Sequence, residues 1–312
     1  MSASPVLVFP GQGAQAVGMG KDLADRYAEV RALFVRADEV LGIPLTKIVF
    51  EGPEEALVDT AVQQPALVLV SLAALKALEL KAGRPVTAAA AAGLSLGEYS
   101  ALAAVGALPF DDALKLVRRR GELMKEASAR TPSSMAVILK LDEAAVRVAC
   151  EQAARETNQI VSPCNFNGGG QIVIGGQLEA LQRAGELCKE AKGRAMPLKV
   201  AGAFHTALMQ PAADGLKAAL DAAPIRRAQA PVYANALARP VQEPGEIRAA
   251  LQKQLTSPVL WEQSVLAMGA AGLTTFLELG AGKTVGNMIR KIAPDAQVAN
   301  LGTAAELDAY PT

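Results

Sequence analysis

Ala88-Ala-Ala-Ala-Ala-Gly93-Leu94-Ser95-Leu96-Gly97 is the stretch that decides the fold. The apolar run over residues 88–94 is short and reads as a buried strand. A helical pattern follows over 97–106. Between them stands one serine with a glycine two residues to either side, G-x-S-x-G. A strand that turns sharply into a helix needs small residues at those two places, because neighbouring backbone comes close. The turn puts the serine hydroxyl at a helix N-terminus, where free N–H groups favour developing negative charge. This strand-elbow-helix unit predicts an α/β protein with a hydrolase-like parallel-sheet core.

Working outward, the chain contains a single histidine. If Ser95 is a nucleophile activated by imidazole, the base can only be His205, in Gly202-Ala-Phe-His-Thr206. The order departs from that of an α/β-hydrolase, where the histidine comes late and follows an acid. Either something replaces the acid or the fold differs. The N–H of Leu96 is a ready oxyanion donor.

The rest of the chain arranges itself around this elbow. Val6-Leu-Val-Phe9 reads as a buried strand closed by Pro10-Gly11. Helical patterns cover 22–41 and 65–80, and Asp111 reads as the N-cap of a helix to about 127. After Thr131-Pro-Ser133 the texture changes. Strand patterns over 135–141, 160–166, 171–174 and 195–200 alternate with helical ones over 142–157 and 178–191. That is β-α-β-β-α-β, the split pattern of a ferredoxin-like unit. Residues 128–197 are therefore read as a small inserted α+β subdomain. Residues 1–127 and 198–312 form the large α/β subdomain, with a further buried strand over 274–279. A cleft between two such units is where ligands tend to bind.

Composition narrows the classes of function. Lys+Arg and Asp+Glu both number 31 in the 312 residues, so the clustered basic field that nucleic acid needs is not expected. The three cysteines, Cys150, Cys164 and Cys188, are scattered, which predicts reduced thiols in a cytoplasmic protein. One histidine and dispersed cysteines argue against a zinc site. Residues 1–9 lack the pattern of a secretory leader. The most apolar stretch, 65–75, falls well short of the ~20 residues of a membrane span.

Two further features point to a ligand. In the helix from Asp111, residues Ala113, Leu114, Val117, Gly121 and Met124 form one apolar stripe. Of Arg118, Arg119 and Arg120, only Arg120 lies near it, about 40° from its centre. A buried guanidinium must find an anion. That anion is either an internal Asp or Glu or a substrate carboxylate held in a bidentate fork. Gly11-Gln12-Gly13-Ala14-Gln15-Ala16 imitates the dinucleotide fingerprint, but the acidic residue that should end a second strand is missing. These glycines are better suited to bringing the Gln12 backbone close to a ligand.

Phe9-Pro-Gly-Gln-Gly-Ala-Gln15, Gly93-Leu-Ser-Leu-Gly-Glu-Tyr-Ser-Ala-Leu102, Arg120-Gly, Asn165-Phe-Asn167 and Gly202-Ala-Phe-His205 occur in one order. As a set they resemble the malonyl-CoA:acyl carrier protein transacylase family of type II fatty acid synthesis. The resemblance runs from about Val6 to beyond Gly282. It implies transfer of a malonyl group from malonyl-CoA to the phosphopantetheine thiol of acyl carrier protein, with no metal or redox cofactor. It implies Ser95 as nucleophile, His205 as base and then acid, and Arg120 on the malonyl carboxylate. The N–H groups of Gln12 and Leu96 would form the oxyanion hole, and Asn165 would contact substrate. Gln254 would orient the histidine through its carbonyl, which would explain the missing acid. Phe204 matches the malonyl-selecting pattern, filling the space of an α-methyl group. Where the family commonly has His before the nucleophile, this chain has Leu94. A monomer is expected, with a basic rim at Lys189, Lys192 and Arg194 for the acidic carrier. A free-standing acyltransferase of a polyketide pathway, a malonate decarboxylase component, a serine thioesterase or esterase, and a non-enzymatic carrier-binding module are the competing readings.

Overall fold

Short apolar runs that end in glycine or proline become the strands of two separate sheets. The computed structural model describes residues 4–200 and 202–311. Residues 1–3, 201 and 312, which fall within the expected leaderless start and two-part large unit, lie outside the described residues. The first stretch folds as β1 (Val6–Phe9), α1 (Lys21–Arg26), α2 (Ala28–Leu41), α3 (Leu45–Glu51), α4 (Thr60–Ala82), β2 (Ala90–Gly93), α5 (Gly97–Ala104) and α6 (Phe110–Arg130). The middle gives β3 (Ser133–Leu139), α7 (Glu143–Thr157), β4 (Val161–Gly168), β5 (Gln171–Gln177), α8 (Leu178–Glu190) and β6 (Arg194–Pro197). The chain returns as α9 (Gln210–Ala222), β7 (Val232–Ala234), β8 (Arg239–Val241), α10 (Pro244–Gln254) and α11 (Trp261–Ala270). It ends with β9 (Thr275–Leu279), α12 (Thr284–Ile292), β10 (Gln297–Leu301) and α13 (Ala304–Ala309).

The large sheet has the order β10-β9-β1-β2-β7-β8. Every pair is parallel except the last, where β8 closes an antiparallel edge. β1 and β2 lie at its centre and are buried throughout, as continuous apolar strands covered on both faces must be. Their carboxyl ends open side by side, and ligands of open α/β sheets bind at that edge.

Several expected boundaries move. The pattern over 22–41 is two helices, because Tyr27 takes an extended conformation at φ −120°, ψ 121°. The helix read over 65–80 starts at Thr60, where the Asp59 carboxylate caps it by accepting from Ala61 N–H, and runs to Ala82. At 23 residues it is long and apolar enough to cross a bilayer, but 78% of its most apolar window is buried inside the molecule. A helix apolar all round is a core helix when protein surrounds it. Asp111 is not a cap: α6 begins at Phe110 after Pro109, and the Asp111 carboxylate accepts from Arg36 Nε at 3.2 Å. α6 also continues to Arg130, across the expected unit boundary at 127/128.

The small sheet is antiparallel, in the order β4-β5-β3-β6. α7 and α8 cover one face, packing Val146, Cys150 and Cys188 on Ile138 and Ile174. The other face carries Met135, Val137, Cys164 and Val173 against Leu198, Val200 and Phe204, the segment that leads to His205. β6 stops at Pro197, short of the strand read over 195–200, which frees that segment to cross back. A further link joins the units at β4. Phe166 N–H donates to Val259 O and Val259 N–H to Cys164 O, each at 2.9 Å. All three cysteines are free and buried. Burial pushes the Cys150 thiol up to about 12 and the Cys164 thiol well above its ordinary value.

Candidate active site

Tight packing of three glycines makes the elbow. A Cβ on Gly93 would stand 2.0 Å from the Gly97 carbonyl carbon, one on Gly97 2.3 Å from Phe9 O, and one on Gly11 2.4 Å from Leu94 O. These are backbone atoms with nowhere to go, so the turn after β1 and the turn after β2 interlock only without side chains. Ser95 sits between β2 and α5 with φ at 53°, in the left-handed region. Such a conformation persists where the surroundings over-determine it. Asn235, just past β7, supplies part of that constraint. Its Oδ1 accepts from Ser95 N–H at 2.6 Å and its Nδ2 donates to Gly93 O at 2.8 Å.

His205 also has a positive φ, 62°, and is 4% exposed. Its Nε2 lies 2.7 Å from Ser95 Oγ, and its Nδ1 lies 2.8 Å from Gln254 O. A carbonyl can only accept, so Nδ1 carries the proton and Nε2 presents its lone pair to the Ser95 hydroxyl. Burial, and then the positive charge of Arg120, lower the imidazole pKa to about 4. The ring is neutral at ordinary pH, the state a general base needs.

Arg120 is fully buried. Its Nη1 donates to Gln64 Oε1 at 2.9 Å, and its Nη2 to Ser95 Oγ at 3.0 Å and Gln254 Oε1 at 3.1 Å. All three partners are uncharged, and among the described residues Nε has none. The guanidinium carbon lies 5.5 Å from the centre of the Tyr99 ring. Burial pulls its pKa down. Glu98, the carboxylate whose charge it feels, turns elsewhere: Glu98 Oε2 accepts from Asn235 N–H at 3.0 Å and Gln254 Nε2 at 2.8 Å. Burial raises the Glu98 pKa to about 7. Gln254 Nε2 also donates to Ser95 O at 2.9 Å.

The remaining expected residues fall around this cluster. Leu96 caps α5, so its N–H is among the free donors of the helix start. Gln12 lies in the turn after β1, and its Nε2 donates to Gln63 Oε1. Phe204 packs between the large core and the open face of the small sheet. Asn165 lies in β4 at the register shift opposite Val259, and no hydrogen bond ties it to Ser95, Arg120 or His205 among the described residues. Leu94 packs partly buried against the apolar cluster of Trp261 and Val265. Asn235, Gln64 and the bonding of Glu98 were not legible in the sequence. Asn235 follows a strand of only three residues that no periodicity announces.

A serine on a strand-helix elbow beside a buried histidine, at the carboxyl edge of a parallel sheet, is the arrangement of the serine-elbow class of α/β enzymes. Comparison with known proteins defines the class further. The model of the acyl transferase domain family matches residues 6–301. The chain is 43% identical over 286 residues to the malonyl CoA-acyl carrier protein transacylase of Bacillus subtilis, covering 91% of this chain and 89% of that one. A 1.7 Å crystal structure of an acyl carrier protein S-malonyltransferase from Vibrio cholerae superposes with a TM-score of 0.93 at 42% identity, over 98% and 99% of the two chains. A malonyl-transacylase solved in complex with a type II PKS acyl-carrier protein gives 0.94 at 40% identity, over 98% of each. The chain belongs to the acyl transferase domain family, among the malonyl CoA-acyl carrier protein transacylases, and is an acyltransferase.

Proposed function

We propose that this chain transfers a malonyl group from malonyl-CoA to the phosphopantetheine thiol of an acyl carrier protein, through a malonyl ester on Ser95, for fatty acid synthesis. The observation that carries the site assignment is a single hydroxyl. Ser95 Oγ lies within hydrogen-bond distance of both an imidazole lone pair and a fully buried guanidinium. Nothing charged among the described residues pairs with that guanidinium, which leaves it for the malonyl carboxylate. Its unpartnered Nε adds a second donor to the fork.

Ser95 Oγ attacks the thioester carbon while His205 Nε2 takes the hydroxyl proton. The N–H groups of Leu96 and Gln12 stabilise the tetrahedral oxyanion. The carbon–sulfur bond breaks, and the departing thiolate takes the proton from His205. In the second half, the carrier thiol gives its proton to His205 and attacks the ester carbon, and Ser95 leaves with that proton. Gln254 O holds the imidazole in the required tautomer in place of a triad acid. Coenzyme A enters as part of the substrate, and no resident cofactor takes part in these steps. Phe204 occupies the space of an α-methyl group; one methyl is worth ~1–3 kcal/mol, so it sets a preference. Asn165 contacts substrate from the small unit, which runs from β3 to β6 and forms one wall of the cleft, the rest of the chain forming the other. The protein acts in the cytoplasm, in keeping with its free buried thiols. A polyketide pathway is the second reading, favoured by the relative solved with a type II PKS carrier.

Incubation with malonyl-CoA followed by intact-mass spectrometry tests this. The parent chain gains one malonyl group and Ser95→Ala gains none; a covalent malonyl group on that variant would remove Ser95 from its role. Arg120→Ala in the same assay loses malonyl transfer far more than acetyl transfer, since stripping a charged group of its buried partner costs about 2–5 kcal/mol. Equal losses would exclude the carboxylate clamp.

A further inference from the structure

The imidazole is held by a carbonyl, and what holds that carbonyl's residue is a carboxylate. Glu98 is 2% exposed, in the first turn of α5, three residues past the elbow serine. One of its oxygens, Oε2, accepts from the Gln254 side chain at 2.8 Å and from Asn235 N–H at 3.0 Å. Those two residues hold the reacting groups between them. Gln254 contacts His205 Nδ1 through its carbonyl, Arg120 Nη2 through its Oε1 and the Ser95 carbonyl through its Nε2. Asn235 contacts the Ser95 N–H and the Gly93 carbonyl through its side-chain amide.

We infer that Glu98 is a positioning residue for the Ser95–His205 pair, acting as the acceptor that fixes Gln254 and Asn235. It touches none of the reacting atoms. A Ser-His-Asp triad binds its imidazole to an acid directly; here the acid stands one residue further back, and a glutamine is interposed. Glu98 also reaches the serine by a second route, through Asn235. Both routes start from the same oxygen, so displacing it loosens nucleophile and base together. The part Glu98 plays is that of an acceptor at a fixed distance. An amide oxygen of the same reach performs it as well as a carboxylate does, while a carboxylate one methylene shorter does not reach both donors. This inference rests on the Ser95–His205 assignment above.

The test compares Glu98→Gln and Glu98→Asp, with Glu98→Ala as the full deletion and thermal melting to confirm folding. Two rates are read: acylation by malonyl-CoA in a single turnover, and inactivation by phenylmethanesulfonyl fluoride, which reports the serine and imidazole without the carboxylate clamp. Glu98→Gln keeps both rates near those of the parent. Glu98→Asp loses about 10- to 100-fold in both, the scale of a misplacement of about 1 Å. Should Glu98→Ala fail to fold, the Gln and Asp pair decides alone. Parent-like rates in Glu98→Asp, or a loss in Glu98→Gln as large as in Glu98→Asp, overturn the inference. A parent chain that reacts with the sulfonyl fluoride but gains no malonyl group would sink the substrate assignment and leave the positioning role standing.

Discussion

A histidine whose Nδ1 faces a carbonyl has no choice of tautomer, and His205 has the further constraint of a buried positive charge beside it. Its pKa falls from 6.5 to about 4, so the base form persists as the pH drops. The expected outcome is that kcat/KM for acylation, which reports the free enzyme, stays on its plateau at pH 6 and declines only as the pH nears the lowered pKa. An ordinary imidazole would be roughly three-quarters protonated at pH 6. A pH profile with a midpoint near 6.5 would count against the burial argument. Ser95 and Arg120 were legible in the sequence because each obeys a local rule, small residues around an elbow and an arginine on an apolar stripe. His205 was legible because the chain has no second histidine. Asn235 and Gln64 obey no such rule. Their parts depend on contacts across 140 and 56 positions, which a linear pattern does not carry.

Helix α5 begins at a glycine, and helices ordinarily prefer alanine there by up to about 1 kcal/mol. Gly97→Ala should nevertheless destabilise the fold and abolish acylation, because the new Cβ would meet Phe9 O at 2.3 Å. Gly245→Ala, in α10, meets nothing within 4 Å and should be neutral or slightly stabilising. Chemical denaturation of the two variants checks the contrast; a stable Gly97→Ala would mean that β1 and the elbow are not interlocked. The same elements show what periodicity conveys and what it does not. The six elements of the small unit came through in order because the hydrophobic period switches between strand and helix along it, although the last strand ends earlier than its pattern suggests. The break at Tyr27 did not, since neither glycine nor proline marks it. There Leu23 and Ala24 on one side, and Val30 and Phe34 on the other, reach one core by different routes. Pro65 reads as a helix start, whereas α4 takes it inside, with Asp59 as the true cap.

At the scale of the molecule, β4 ties the small unit to the large one through Val259, close in sequence to Gln254. The end of α8 and the start of β6 carry Lys189, Lys192 and Arg194, all exposed. We propose that an acidic carrier protein docks there. Its transfer rate should then fall as salt rises and the Debye length contracts from about 10 Å at 0.1 M. Transfer to a small pantetheine thiol, with no such charge, should be indifferent to salt; equal salt dependence for both acceptors would remove the rim from the interface. The parallel core and its α+β insertion were both legible in the sequence, yet how they lean on each other was not, because β4 pairs with a segment far along the chain. The sulfur atoms carry one more consequence. With its three sulfhydryls sunk below the surface and held protonated by burial, the native molecule gives thiol-directed alkylating reagents little to attack. Exchanging oxygen for sulfur at position 95 would put an accessible thiol at the reacting atom itself, a direct means of counting competent molecules and of timing how long the cleft stays occupied.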